Sequence, residues 1–105
     1  MSPEMQERAA TLGREWKDAG GGYFTLLGLG FGGDVAYVAV PRSHPLVDHR
    51  YDDLPNGGPD VNGGITFAEG NVFGWDYAHA TNTSAPTEDI PAAIAWFKAA
   101  AAKPA

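Results

Sequence analysis

Residues 23–40 read Tyr23-Phe24-Thr25-Leu26-Leu27-Gly28-Leu29, then Gly30-Phe31-Gly32-Gly33, then Asp34-Val35-Ala36-Tyr37-Val38-Ala39-Val40. Aromatic and β-branched residues in two runs of seven favour extended backbone. The glycines between them supply the positive φ angles of a tight turn, so the stretch predicts a β-hairpin. Pro41 ends the second strand because it has no N–H to give to a ladder. A second hairpin is predicted downstream, with strands at 65–68 and 72–79 around Glu69-Gly70-Asn71.

Helices are expected outside the two hairpins. Over residues 3–18, Met5, Ala9, Leu12 and Trp16 recur at helical spacing. Ser2 suits the cap, Pro3 the first helical position, and Glu4 and Glu7 the positive end. Gly20-Gly21-Gly22 is expected to terminate this helix, with Gly13 a weak point inside it. At the other end, Asp89 is expected to cap a helix over about residues 90–102, with Pro91 in its first turn. Its buried stripe would be Ile90, Ala93, Ile94 and Phe97, with Trp96 near the edge. Residues 103–105 should fray. Between the hairpins, residues 41–64 read as a long loop, with turn signals at His44-Pro45, Pro55-Asn56-Gly57-Gly58 and Asn62-Gly63-Gly64. Loops of this length in small domains tend to be functional. The expectation is one α+β domain over residues 1–105. Its four-stranded, largely antiparallel sheet of two hairpins would have the N- and C-terminal helices on one face.

Composition narrows the function classes. Thirteen acidic against seven basic residues give a formal charge of -6, which repels phosphate backbones and anionic membranes. No nucleic-acid or membrane partner is expected. Without cysteine there is no disulfide, thiolate nucleophile or cysteine-ligated zinc. Residues 1–10 are polar and lack the apolar core of a signal peptide, and no run approaches bilayer length. The expected compartment is the cytosol.

Strand alternation places Phe73, Trp75, Tyr77 and His79 on one face and Val72, Gly74, Asp76 and Ala78 on the other. The aromatic face should meet the helices. Asp76, between Gly74 and Ala78, should look into open space. An early turn near Ala78 would bring Asp76 and His79 together. His44, His49 and His79, with Asp48, Asp52, Asp53 or Asp76, offer imidazole and carboxylate donors for zinc, iron or manganese. Their spacing matches no metal motif, so no metal and no cofactor is expected. Ser43, Thr66 and Ser84 lie in no nucleophile elbow. The Asn-Gly-Gly elements resemble backbone nests, but turn geometry explains them.

Four blocks occur in a fixed order: Val40-Pro41-Arg42-Ser43-His44-Pro45-Leu46; Tyr51-Asp52-Asp53-Leu54; Val61-Asn62-Gly63-Gly64-Ile65-Thr66-Phe67; and Phe73-Gly74-Trp75-Asp76-Tyr77-Ala78-His79-Ala80. The series resembles a group of small proteins encoded by bacteriophages and prophages. It covers about 40 of the 105 residues and neither helix. In that group the third block usually has histidine where this chain has Asn62, and aspartate stands where it has Asn82. The resemblance implies a phage or prophage setting and no particular chemistry.

Three functions follow as expectations. The first is a phage-type accessory protein that binds, without catalysis, a small polar and even nucleotide-like ligand or a host protein. It would use His44, Asp53, Asn62, Thr66, Trp75, Asp76 and His79, with Trp75 or Tyr77 as a stacking platform. An edge strand would suit a homo-oligomer. The second is a small hydrolase using Asp76 with His44 or His79. The third is a structural or interaction protein, in which the blocks only stabilise the loop.

Overall fold

A computed structural model of the chain describes residues 1–30 and 32–102. Phe31 of the first turn and the tail at 103–105, expected to fray, lie outside the described residues. The order is α1 (Pro3–Leu12), β1 (Lys17–Gly20), β2 (Tyr23–Gly30), β3 (Gly33–Ala39), β4 (Phe67–Glu69), β5 (Val72–Asp76) and α2 (Pro86–Ala102). Two short 3-10 turns, Tyr51–Asp53 and Pro55–Gly57, interrupt the loop between β3 and β4. The α+β class and both hairpins are therefore present. The sheet, however, has five strands in the order β1-β2-β3-β5-β4, and every neighbouring pair is antiparallel.

The additional strand comes from an earlier end to the first helix. Ser2 Oγ accepts the Met5 N–H at 3.2 Å and Pro3 opens the first turn, as expected. Gly13, at φ 63°, then stops α1, its N–H meeting the Ala10 carbonyl. Only glycine adopts this left-handed cap at no steric cost. The residue read as a weak point is the terminator. Released from the helix, Lys17–Gly20 pairs with β2, with Lys17 opposite Thr25. Gly21 and Gly22, at φ 66° and 85°, form a hairpin turn where a helix end was expected. Trp16 is buried although it is not helical, and its indole N–H donates to the Met5 carbonyl at 2.7 Å.

The helices lie on opposite faces of the sheet, correcting the expectation of one face. Alternation along β3 sends Ala36 and Val38 towards α2, where they pack with Phe73, Trp75, Ala93 and Phe97. It sends Tyr37 and Ala39 the other way, into a cluster with Met5 of α1, Trp16, Leu26 and Val72. Residues 36–40 are all buried, and a strand apolar at consecutive positions needs cover on both faces. The loop between β3 and β4 completes the α2 face by inserting Leu46, Leu54, Val61 and Ile65 beside Phe97.

α2 begins at Pro86, earlier than expected. The Ala85 carbonyl receives the N–H groups of Glu88 and Asp89. Asp89 is consequently inside the first turn and does not cap the helix. It points into the core at 3% exposure.

Candidate functional site

The seven residues singled out in the sequence do not form one site. Asp53 is exposed on the first 3-10 turn, and Thr66 is exposed beside β4, its N–H bonded to the Gly74 carbonyl. His44 is buried against α2. Its Nδ1 accepts the Leu46 N–H at 3.0 Å, so the proton resides on Nε2, which donates to the Phe97 carbonyl at 2.7 Å. The ring meets Tyr23 and Phe97 edge-on. Both nitrogens are occupied, and His44 pins the long loop to the helix. Trp75 is 2% exposed, so it offers no free face for stacking. Its indole donates to the Tyr77 hydroxyl at 2.9 Å.

Asn62, Asp76 and His79 do converge, together with residues read only as a connector or a cap. Asn62 Nδ2 donates to the Asp76 carbonyl at 3.1 Å and to Asn82 Oδ1 at 2.9 Å. Asn62 Oδ1 accepts the Thr83 N–H at 2.7 Å, and Asn82 Nδ2 donates to the Tyr77 carbonyl at 3.1 Å. Asn62 is 1% exposed, and a buried amide with this many partners is a clasp that closes residues 77–83 onto the loop. The two positions at which this chain departs from the phage group, Asn62 and Asn82, therefore touch each other.

Below the clasp is an anionic hub. Asp89 Oδ2 accepts from the Tyr77 hydroxyl at 2.6 Å, the Ser84 hydroxyl at 2.9 Å and the Asn62 N–H at 3.2 Å. Trp75, Tyr77, Asp89, Ser84, Asn62 and Asn82 form one connected network. Burial, followed by the bond to Asp89, pushes the Tyr77 hydroxyl far above the usual tyrosine range, so it stays a donor at ordinary pH. Sequence reasoning missed Tyr77 and Asp89 as partners. The available signal was a tyrosine on the aromatic face, since a buried phenol needs a polar partner.

Asp76 and His79 stand at the surface of this clamp. β5 ends at Asp76, and the chain bends so that His79 Nε2 lies 3.4 Å from Asp76 Oδ1. The same oxygen accepts the Ala78 N–H at 3.1 Å. Both side chains are about one third exposed. Asp76 occupies the face opposite the aromatic residues, as alternation predicts. Gly63, at φ 70°, lies so close under the imidazole that a Cβ there would collide with it. This glycine thus serves a close approach as well as a turn. No hydroxyl is poised for attack beside the pair, because Ser84 donates to Asp89 and the Thr83 hydroxyl faces Asn62. Among the described residues, no three His, Asp or Glu side chains gather closely enough to hold a metal. No helix among them is long and apolar enough to cross a membrane.

Four surface clefts of about 300 to 500 Å³ lie elsewhere. None of the four is lined by Asn62, Asp76 or His79. Comparison with protein-family models, curated proteins and solved structures finds no match.

Proposed function

We propose that this is a non-catalytic binding protein acting in the cytosol of a bacterial host, as an accessory of phage or prophage origin. The four-block resemblance supports the setting. Recognition is assigned to the Asp76–His79 pair, and the observation that carries this is the division of labour around it. His44, Asn62, Asn82, Tyr77 and Asp89 are occupied by internal hydrogen bonds, while Asp76 and His79 hold only each other and one backbone N–H. A rigid base carrying one carboxylate and one imidazole at the surface suits a polar patch on a host protein better than an enclosed small ligand. Hydrolysis by Asp76 and His79 is the second reading, favoured by their 3.4 Å contact alone. It lacks a nucleophilic hydroxyl at the pair and a cleft among the four that includes it.

Native mass spectrometry of protein purified from its producing cells, for wild type and Asp76→Ala/His79→Ala, tests the assignment. The reading expects a species retained by the wild type and absent from a double variant that melts at nearly the same temperature. Equal retention by both, or no retained species with either, contradicts it.

A further inference from the structure

We propose that two copies of this chain associate through α2, packed antiparallel across the groove between α2 and the β1–β2 edge of the sheet. The inference is independent of the partner-binding reading, because the groove lies on the α2 side and the Asp76 side chain on the other.

The α2 face of the sheet is unevenly covered. The long loop and α2 bury β5 and β3, but the outer part of β2 is left open. Tyr23, Thr25, Leu27 and Leu29 alternate onto this face, and there Leu27 is 44% and Leu29 74% exposed. Two adjoining clefts of about 500 and 300 Å³ run along this strip, sharing Lys17, Thr25, Ile90 and Pro91 as walls. Two bulky apolar side chains open to solvent beside a groove mark a surface that another element covers.

Charge identifies the occupant. The outward stripe of α2 reads Glu88, Pro91, Ala95, Lys98, at helical spacing three, four and three, and all four residues are exposed. The stripe is anionic at its start, cationic at its end and small in the middle. Two such stripes run antiparallel about residue 93 place Glu88 of each copy opposite Lys98 of the other, and Pro91 opposite Ala95. The charges are about 15 Å apart along the axis at 1.5 Å per residue, so both pairs form at once around a two-fold axis. Neither Glu88 nor Lys98 has an ion-pair partner among the described residues of its own chain. Lys98 Nζ instead lies 5.4 Å from the Tyr23 ring, at the groove mouth. Close approach of the helices through Pro91 and Ala95 would bring the partner's α2 over Leu27. A parallel pair would set like charges against each other.

Sedimentation velocity from micromolar to submillimolar concentration tests this with wild type, Glu88→Lys, Lys98→Glu and an equimolar mixture of the two variants. A concentration-dependent dimer is expected for the wild type. Each single variant opposes like charges twice and should dissociate about tenfold more readily. The mixture should regain dimer, since the lysine introduced in one variant then faces the glutamate introduced in the other. The unchanged Lys98 of the first and Glu88 of the second face each other at the same time. Recovery in the mixture also shows that the variants are folded. A wild type monomeric throughout, variants that dimerise as wild type does, or a mixture no better than its components would each overturn the proposal.

Discussion

Replacing Asp89 by alanine removes the acceptor on which three donors converge. The Tyr77 hydroxyl and the Asn62 N–H belong to residues 9% and 1% exposed, and water has little access to either. Each donor left unpaired costs about 1–3 kcal/mol. Ser84 is half-buried and can turn to solvent, so it adds little. The expected loss is about 4 kcal/mol, a large share of the roughly 5–15 kcal/mol that holds a domain together. Asp89→Asn keeps an oxygen where Oδ2 stands and forfeits only the charge assistance, about 1–2 kcal/mol. Urea unfolding followed by tryptophan fluorescence reads both values, and the dependence on urea should keep its slope. In a double-mutant cycle with Tyr77→Phe, a coupling above about 1 kcal/mol is expected from the 2.6 Å bond. An alanine variant within about 1 kcal/mol of wild type, or no coupling to Tyr77, would refute the hub.

Alkaline pH should unfold the protein. Burial raises the hydroxyls of both Tyr77 and Tyr23, so the unfolded chain loses these protons first. Their contribution is complete below the unfolded tyrosine pKa of about 10, and Tyr77 alone then weakens stability by about 1.4 kcal/mol per pH unit above it. Tyrosinate absorbance should show two of the four tyrosines ionising only with unfolding, and Tyr77→Phe should shift the transition upward. Gly74→Ala should cost about 2 kcal/mol or more in urea unfolding. A Cβ there strikes the Tyr37 ring, which is backed by Phe67 and Arg8 and cannot retreat. His44→Ala leaves the Leu46 N–H and the Phe97 carbonyl unmatched and should cost about 2–3 kcal/mol. Asp76→Ala breaks a partly exposed pair and should change the melting free energy by less than about 1 kcal/mol.

Legibility in the sequence followed the range of the interactions. Both hairpins were readable because glycine turns and strand alternation are local. The same alternation placed Asp76 opposite the aromatic residues and anticipated the bend that returns His79 to it. β1 was not readable, since Lys17-Asp18-Ala19-Gly20 has no strand propensity and is extended only because β2 pairs with it. The placement of helices on both faces was written in the unbroken apolar run from Ala36 to Val40, which a strand covered on one face does not need. The clamp was the least accessible part. Asn62, Asn82 and Asp89 are separated by up to 27 residues, and each has a plausible local role as turn, connector or cap. Only the closed fold shows that they satisfy one another.

The central claim is that the polar residues around Asp76 form a closed structural clamp rather than an open reactive site. Hydrogen exchange at the Thr83 amide tests it most directly. Thr83 is exposed and outside regular structure, and its N–H is held only by Asn62 Oδ1 at 2.7 Å. If the clamp is closed, this amide should exchange within about a factor of ten of the slow amides of β3 and β5, because opening it requires parting the loop from α2. Exchange as fast as that of an unbonded loop amide would contradict the account.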